Sequence, residues 1–257
     1  MMTERERSVV ITGGASGIGA AVARLIVERG GSVCIVDLDD AAGAALVAEL
    51  EGRAFYARAD VCDVEALEAA RRELAAQTGF GGIVTCAGIG QQAQPIAEMP
   101  AEVFETVLGI HATGTFLTCK VFGQDLVAHG GGAVVTVSSV LSVRPGPVYA
   151  YGAGKAAITN FTRALAVEWA PKGIRVNAIQ PGWVDTPLVR AQEAKGRDLS
   201  AVLDMCPMGR LIAPGEVAEV VHFLLSPASS AMTGSVLVVD GGITSAAGWL
   251  PYGPLPR

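Results

Sequence analysis

The chain has 257 residues, with 25 acidic and 19 basic side chains and a formal net charge of −6 at pH 7. This mildly acidic balance provides no basic tract for nucleic acid. Apolar residues make up 51% of the sequence and charged residues 17%, a mixture that supports a large buried core and excludes intrinsic disorder as the main state.

Short β-branched runs alternate with longer segments rich in Ala, Leu and Glu. This pattern is typical of repeated βαβ units in one parallel sheet with helices on both faces. Several of the short runs are continuously apolar, as expected for strands that helices cover on both sides. The predicted strands are Ser8–Thr12, Ser32–Val36, Ala54–Arg58, Gly82–Cys86, Ala133–Ser138, Ile174–Ile179 and Ser235–Val239. The predicted helices span roughly 17–30, 40–51, 64–78, 101–129, 149–171 and 214–226.

A single domain over residues 1–257 is the simplest organisation, because no Pro/Gly/Ser-rich stretch separates two alternating sets. Residues 186–211 follow a strand and lack a clean period. They are predicted to form an insertion at the carboxyl edge of the sheet, where open α/β sheets bind ligands. The tail at 243–257 is either a frayed terminus or, through Trp249 and Tyr252, a segment that docks on a neighbouring surface.

The cysteines form no C-x-x-C pair and no cluster with the spacing of metal ligands, so no metal is expected. Free thiols in a reducing compartment are the favoured interpretation. The start MMTERERS lacks an apolar region of the kind found in signal peptides, and no apolar run approaches the ~18 residues of a membrane span. We therefore expect a cytoplasmic protein that does not interact with membranes.

A glycine-spaced turn follows the first predicted strand in the sequence SVVITGGASGIG. Glycines allow a tight turn close to a ligand, and the free N–H groups of the first helical turn attract an anion such as a dinucleotide pyrophosphate. Such turns also occur as plain strand-to-helix connections. The candidate contacts are Gly13, Ser16, Gly17, Ile18 and Gly19.

Asp37 ends the second predicted strand, about 20 residues beyond the glycines, where a carboxylate can accept hydrogen bonds from an adenosine ribose. The same charge would repel a 2′-phosphate, and this favours NAD over NADP. The alternative is a helix N-cap, a role that Asp39 or Asp40 can also fill. Asp60, after the third strand, is a candidate for the adenine rim or an ordinary turn residue.

Tyr151 and Lys155 are four residues apart and therefore share one face of a predicted helix. A nearby ammonium favours the phenolate and is expected to lower the tyrosine pKa from its normal ~10, so that Tyr151 can exchange a proton with an alcohol or carbonyl. Chance also produces this spacing in many helices. The preceding strand ends at Ser138 and Ser139, which either contact a substrate oxygen or close a turn.

Taken together, these motifs resemble the classical short-chain dehydrogenase/reductase family, and the likeness covers nearly the whole chain. The residues that carry it are 12–19 (TGGASGIG), Asp37, Asp60-Val61, Ala87-Gly88, Ser138-Ser139, Tyr151-x-x-x-Lys155, 177–186 (NAIQPGWVDT) and 233–242 (TGSVLVVDGG). The resemblance implies a single-domain Rossmann fold with a doubly wound, seven-stranded parallel sheet. It also implies reversible oxidation of a secondary alcohol by hydride transfer to a nicotinamide cofactor.

By this resemblance Tyr151 is the general base for alcohol oxidation and the general acid for carbonyl reduction. Lys155 holds the nicotinamide ribose, and Ser139 polarises the substrate oxygen. Ser138 is kept as an alternative, because Ser139 lies one residue closer to the tyrosine than a common family spacing. Further cofactor contacts implied by the resemblance are Val61, Ala87, Gly88, Pro181, Gly182, Val184 and Thr186.

Two positions depart from the family pattern. His111 occupies the place of an asparagine that bends the fourth helix and holds a water linking the lysine to solvent. It either sustains a modified proton relay or merely fills a polar corner. Thr85 and Cys86 replace two asparagines; we expect Thr85 to keep a hydrogen bond that braces the sheet, whereas Cys86 is a poor replacement.

The favoured function is an NAD-dependent dehydrogenase or reductase of an apolar or cyclic secondary alcohol or ketone. The alternatives are a catalytically weak dinucleotide-binding sensor or scaffold, and an NADPH-dependent carbonyl reductase of the 3-oxoacyl type. Leu141, Val143, Trp183 and the segment 188–208 are the expected walls of the substrate pocket.

The family resemblance further implies a homotetramer built through the fourth and fifth helices and the last strand. The stripe Phe161, Leu165 and Trp169 has helical spacing, but such a stripe more often packs inside the subunit than between subunits.

Overall fold

The computed structural model describes residues 7–246 and Gly248; Trp249 and Tyr252 lie outside the described residues. Seven parallel strands form one sheet in the order β3-β2-β1-β4-β5-β6-β7, which confirms the predicted fold class. The strands are β1 (Arg7–Thr12), β2 (Val33–Asp37), β3 (Ala54–Arg58), β4 (Gly79–Thr85), β5 (Gly132–Val137), β6 (Ile174–Pro181) and β7 (Val236–Val239).

Helices connect the strands and cover both faces of the sheet. They are α1 (Gly17–Glu28), α2 (Asp40–Glu49), α3 (Val64–Ala75), α4 (Ala101–Leu108), α5 (Gly114–His129), α6 (Tyr149–Trp169), α7 (Pro187–Ala194), α8 (Ser200–Met205), α9 (Pro214–Leu225) and α10 (Ile243–Ala246). The helix predicted over 101–129 is divided, because one π-helical turn at Gly109–Thr113 separates α4 from α5. The predicted insertion folds into α7 and α8.

Two buried clusters lie on the two sides of the sheet. One joins the strands to α3, α5 and α6 and includes Phe122 and Trp169. The other joins them to α1, α2 and α9 and includes Val22 and Val221. Leu165 and Trp169 are buried in the first cluster and Phe161 packs against it, so the stripe on α6 is part of the subunit core.

The sheet reverses its strand order beside β1, which pairs with β2 on one side and with β4 on the other. The connections from these strands leave in opposite directions, and a crevice opens at the carboxyl ends of β1 and β4. This crevice brings the loops after β1, β4 and β5 to one edge of the molecule.

Candidate active site

The turn between β1 and α1 depends on two glycines with left-handed backbone. Gly13 has φ +65° and Gly17 has φ +51°. A Cβ at Gly13 would lie 2.6 Å from the backbone of Ala87, so a larger residue would push apart the loops after β1 and β4. Gly17 also begins α1, and the helix N-terminus therefore faces the crevice as a dinucleotide cradle requires.

A cavity of about 320 Å³, which we call the dinucleotide cavity, lies over this cradle. It brings together most of the predicted cofactor residues, namely Gly13, Ser16, Gly17, Ile18, Gly19, Asp37, Asp60, Val61, Ala87, Gly88 and Thr186. Cys86, Ile89, Ile110 and Leu188 also line it and were not predicted as cofactor contacts. Cys86 was noted in the sequence only as a departure from the family pattern. Ile89 follows Gly88 and Ile110 precedes His111, and this adjacency was the only signal for them.

Asp37 supplies a fixed negative charge to this cavity. Its carboxylate accepts hydrogen bonds from the backbone N–H groups of Ala15 at 3.0 Å, Leu38 at 2.7 Å and Asp39 at 3.2 Å. Asp39, rather than Asp37, caps α2 by accepting from Ala42. Among the described residues that line the cavity, none carries a positive charge.

Asp60 lies at the exposed rim of the same cavity. Its carboxylate accepts from the backbone N–H of Cys62 at 2.8 Å. The residue is therefore both a turn residue and part of the cavity wall, the two roles between which the sequence did not decide.

A second cavity of about 240 Å³ adjoins the first; Leu188 lines both. We call it the substrate cleft. Its lining contains Ser139, Tyr151 and Gly182 together with the predicted walls Leu141, Trp183 and Leu188. Val143 was wrongly predicted as a wall: it follows a 3₁₀ turn after β5 and is 62% exposed. Gln192 and Arg197, which belong to the predicted wall segment 188–208, also line the cleft, whereas Gln91 lines it and was missed.

Ser139 and Tyr151 meet inside the cleft. Burial raises the pKa of Tyr151, and a hydrogen bond from Ser139 opposes this by lowering it. The expected lowering of the tyrosine pKa by Lys155 is not the net effect in this structure, because desolvation of the phenolate exceeds the favourable contributions.

Lys155 lies behind the tyrosine and is 4% exposed. Its Nζ donates a hydrogen bond to the carbonyl oxygen of Val137 at 2.8 Å and lies 5.6 Å from the Tyr151 ring centroid. Burial lowers the pKa of Lys155 to about 8. The ammonium is thus held by the end of β5 at one side of the tyrosine ring.

The structure separates the two candidate serines. Ser138 is 2% exposed; its hydroxyl donates to the backbone carbonyl of Lys155 at 2.8 Å and contacts the hydroxyl of Thr159 at 2.8 Å. It joins β5 to α6 and is not among the described residues that line the cleft. Ser139 faces the cleft and accepts a hydrogen bond from the N–H of Leu141 at 3.2 Å.

His111 occupies the π-helical turn and is 1% exposed. Its Nε2 donates to the carbonyl oxygen of Ile89 at 2.9 Å, and its ring meets the Tyr151 ring edge-to-face at 5.0 Å. Burial, with a smaller effect of the nearby Lys155 charge, lowers the pKa of His111 to about 3. The neutral ring therefore carries a lone pair on Nδ1, a buried atom with no partner within 7–246 and 248.

Two glycines make room for this ring. A Cβ at Gly88 would lie 2.5 Å from Cε1 of His111, and a Cβ at Gly154 would lie 2.8 Å from its Cβ. Gly154 stands inside the Tyr151-x-x-x-Lys155 motif. The histidine is thus packed between the loop after β4 and α6.

The prediction for Thr85 was wrong. Its hydroxyl is buried and has no partner in the part of the chain that the structure describes, and the same holds for Thr12, its neighbour in register on β1. A threonine side chain is too short to replace an asparagine as a bridge between strands. Cys86 partly lines the dinucleotide cavity, and burial raises the pKa of its thiol to about 12.

Pro181 and Val184 are buried beside the cleft. Pro181 ends β6 and pairs with Val239, and Val184 forms an isolated bridge with Ile212. Gly182 lines the substrate cleft and Thr186 lines the dinucleotide cavity. The stretch therefore contributes to both cavities, but Pro181 and Val184, predicted as cofactor contacts, are not among the described residues that line either one.

Comparisons with known proteins identify the family to which this chain belongs. A family model described as enoyl-(acyl carrier protein) reductase matches residues 13–244. The cis-4-hydroxycyclohexanecarboxylate dehydrogenase of Sinomonas cyclohexanicum is 42% identical over 244 residues, which cover 93% of this chain and 97% of that protein. Other matched relatives are dehydrogenases of cyclohexanol, galactitol and D-threitol.

Solved structures share the fold along nearly the whole chain. One described as ribose-5-phosphate isomerase from Brucella melitensis 16M has a TM-score of 0.93 and 34% identity, and covers 98% of both chains. A 3-oxoacyl-[acyl-carrier protein] reductase from Brucella melitensis, with bound NAD, has a TM-score of 0.84 and 36% identity, covering 95% of this chain and 96% of that one. This chain belongs to the short-chain dehydrogenase/reductase family and is an oxidoreductase that transfers a hydride between a nicotinamide cofactor and a secondary alcohol or ketone.

Proposed function

We propose that the protein is an NAD-dependent dehydrogenase of small cyclic secondary alcohols that also reduces the corresponding ketones. The observation that carries this proposal is the meeting of Ser139 and Tyr151 in an apolar cleft that adjoins the glycine cradle. The bound nicotinamide would accept the hydride from the carbinol carbon during oxidation and return it during reduction.

Side chains of the protein itself carry out the proton transfer. Ser139 holds the substrate oxygen by a hydrogen bond, and Tyr151 removes its proton as the carbinol carbon loses the hydride. In the reverse direction the Tyr151 phenol returns this proton to the carbonyl oxygen. Because burial raises the tyrosine pKa, the phenolate needs every nearby positive charge and hydrogen-bond donor.

Lys155 supplies such a charge from the side that Val137 anchors. With a pKa of about 8, the lysine is mostly an ammonium at neutral pH. We assign His111 a positioning role: it fixes the edge of the Tyr151 ring and presents the Nδ1 lone pair as an acceptor for a water on the proton path.

The choice of NAD rests on charge. Asp37 is held by three backbone N–H groups at the place of the adenosine ribose. Among the described lining residues no cation balances it, so a 2′-phosphate would meet only repulsion.

A small ring fits the substrate cleft better than a long chain. The cleft volume of about 240 Å³ is below the roughly 300–1,000 Å³ typical of drug-sized ligands. Its walls include Leu141, Val148, Trp183 and Val189. Two matched relatives are named for cyclohexane alcohols, and this supports the same substrate class here over a 3-oxoacyl thioester.

We further propose a homotetramer in the cytoplasm. Phe116 on α5 and Val167 on α6 are 46% and 77% exposed, which suits an interface through these helices. All five cysteines are free thiols, which suits a reducing compartment. No described helix is long and apolar enough to cross a membrane.

The decisive variant is Tyr151→Phe, which removes the proton-transfer group and keeps the ring. We expect oxidation of cyclohexanol, followed as NADH absorbance, to fall by roughly 10²–10⁴-fold, the usual contribution of general acid–base catalysis. NAD binding, measured by calorimetry, should persist, because the glycine cradle is untouched. Wild type should show a higher kcat/KM with NAD than with NADP.

The control is Tyr149→Phe, which changes an exposed tyrosine at the start of the same helix and should leave turnover unchanged. Equal turnover by Tyr151→Phe and wild type would refute the assigned role. Binding of NAD with no turnover on any ring alcohol or ketone would instead support a sensor or scaffold.

A further inference from the structure

One charged side chain stands out in the substrate cleft. Arg197 is half-buried, and the other described residues that line the cleft are apolar, amide, hydroxyl or glycine. The acidic residues Asp37 and Asp60 line the dinucleotide cavity instead. Among the described lining residues the formal charge is therefore positive, although the walls are mostly apolar.

The turn after α7 places Arg197 at the cleft. Gly196 has φ +91°, and its N–H donates to the carbonyl of Glu193 at 2.9 Å, while the N–H of Arg197 donates to the carbonyl of Gln192 at 3.1 Å. These two bonds form the Schellman arrangement that ends a helix at a left-handed glycine. The reversal sets Arg197 beside Gln192, and both side chains line the cleft.

Trp183 fixes the guanidinium. The Cζ of Arg197 lies 5.1 Å from the Trp183 ring centroid, a cation–π contact. This contact places the guanidinium charge beside the indole. A guanidinium carries five N–H donors, more than one ring contact can occupy, so donors remain for a ligand.

Two other arginines within residues 186–211 are paired with carboxylates. Arg190 binds Asp185 through two nitrogens at 2.6 and 2.7 Å. Arg210 binds Glu216 through two nitrogens, each at 2.7 Å. Arg197 has no carboxylate partner among residues 7–246 and 248. The adjacent Asp198 is committed to the N–H and hydroxyl of Ser200.

We propose that Arg197, held on Trp183 and assisted by the amide of Gln192, binds a carboxylate of the substrate. A guanidinium edge matches a carboxylate with two parallel hydrogen bonds. Resting on the proposed function, this makes the substrate a small hydroxycycloalkane carboxylic acid. Its carbinol meets Ser139 and Tyr151, and its acid group meets Arg197.

The acid group takes no part in the chemistry. Oxidation converts the carbinol of the hydroxy acid into the ketone of the oxo acid. The hydride goes to the cofactor and the hydroxyl proton goes to Tyr151. Arg197 is thus a specificity-determining residue, and the carboxylate leaves the site unchanged.

Binding tests the inference without turnover. Cyclohexanecarboxylate has no hydroxyl to oxidise, so calorimetry with the NAD-loaded enzyme reports the acid subsite alone. We expect Arg197→Met to weaken its binding about 10- to 100-fold, as for loss of charged hydrogen bonds, and Arg197→Lys to restore part of it. Arg190→Met, which removes a nearby arginine outside the cleft, should bind like wild type.

Turnover separates the two proposals. The two test substrates are 4-oxocyclohexanecarboxylate, which carries the acid group, and cyclohexanone, which does not. Arg197→Met should lower kcat/KM for the first at least tenfold more than for the second, and the change should lie mainly in KM. The inference is overturned if wild type binds cyclohexanecarboxamide as tightly as cyclohexanecarboxylate, or if the ratio between the two ketones is the same in both enzymes. Failure of wild type to reduce either ketone would instead refute the proposed function, with the binding result standing independently.

Discussion

At the scale of single residues, His111 shows how packing changes what a side chain can do. In solution a histidine titrates near pH 6.5, but burial lowers the pKa of His111 to about 3. The ring is therefore neutral near pH 7. Its Nε2–H is committed to Ile89, so the neutral ring offers Nδ1 as an acceptor.

This burial makes the folded state sensitive to acid. Below pH 6.5 the unfolded chain binds a proton that folded His111 rejects, so the free energy of unfolding falls as pH falls towards 3, by up to ~1.4 kcal/mol per pH unit. His111→Asn removes the titrating group. Urea unfolding measures the free energy of unfolding at pH 7 and pH 5. Its decrease between these two pH values should be smaller by about 2 kcal/mol in the variant than in wild type.

His129→Asn is the matched control, because His129 is exposed at the end of α5. Between pH 7 and pH 5 its free energy of unfolding should fall by about as much as that of wild type. Parallel losses for wild type and His111→Asn would show that His111 accepts a proton in the folded state.

At the scale of elements, α5 and α6 pack against each other through a glycine on α5 and a tryptophan on α6. Gly123 on α5 is covered by the Trp169 ring at the end of α6, and a Cβ there would overlap the indole, with Cζ2 at 2.9 Å and Cζ3 at 3.1 Å. α6 also carries Tyr151, and α5 follows directly from the π-helical turn of His111. Their spacing therefore determines the geometry of the site as well as the core.

Gly123→Ala should destabilise the protein in spite of the better helix propensity of alanine. Overpacking of a filled core typically costs about 1–3 kcal/mol, which exceeds the ~1 kcal/mol that alanine contributes to a helix. Urea unfolding monitored by tryptophan fluorescence measures the change. Gly215→Ala on α9, where a Cβ meets nothing within 4 Å, should be neutral or stabilising; a loss as large as that of Gly123→Ala would contradict the packing argument.

At the scale of the whole molecule, α5 and α6 each present a large apolar side chain to solvent. Val167 on α6 is 77% and Phe116 on α5 46% exposed, and the Phe116 ring packs edge-to-face on Phe161 of α6 at 6.0 Å. We propose that these side chains belong to an interface, because large exposed apolar patches commonly mark one. Burial against other subunits would also stiffen the helix that carries Tyr151 and Lys155.

Light scattering should therefore give a particle of four times the chain mass of 26.3 kDa. Val167→Glu places a charge at the proposed interface and should yield smaller particles. Ile96→Glu changes another strongly exposed apolar residue outside these helices and should leave the tetramer intact. A monomeric wild type would refute the assembly and leave the fold unchanged.

The sequence by itself determined the seven strands and the main helices between them, because period and β-branched composition act locally and glycine conformation limits the turn after β1. It also placed Tyr151 and Lys155 on one helical face, since a spacing of four residues has no other outcome in a helix. It did not show the break between α4 and α5 or the short helices α7, α8 and α10.

Only the tertiary structure decided which neighbours these residues have. It distinguished Ser139 from Ser138, left the hydroxyl of Thr85 without a partner, and moved Val143 out of the cleft. It also brought Arg197 from the segment after α7 onto Trp183 after β6. These outcomes depend on contacts between residues far apart in sequence and on desolvation, and no local pattern records either of them.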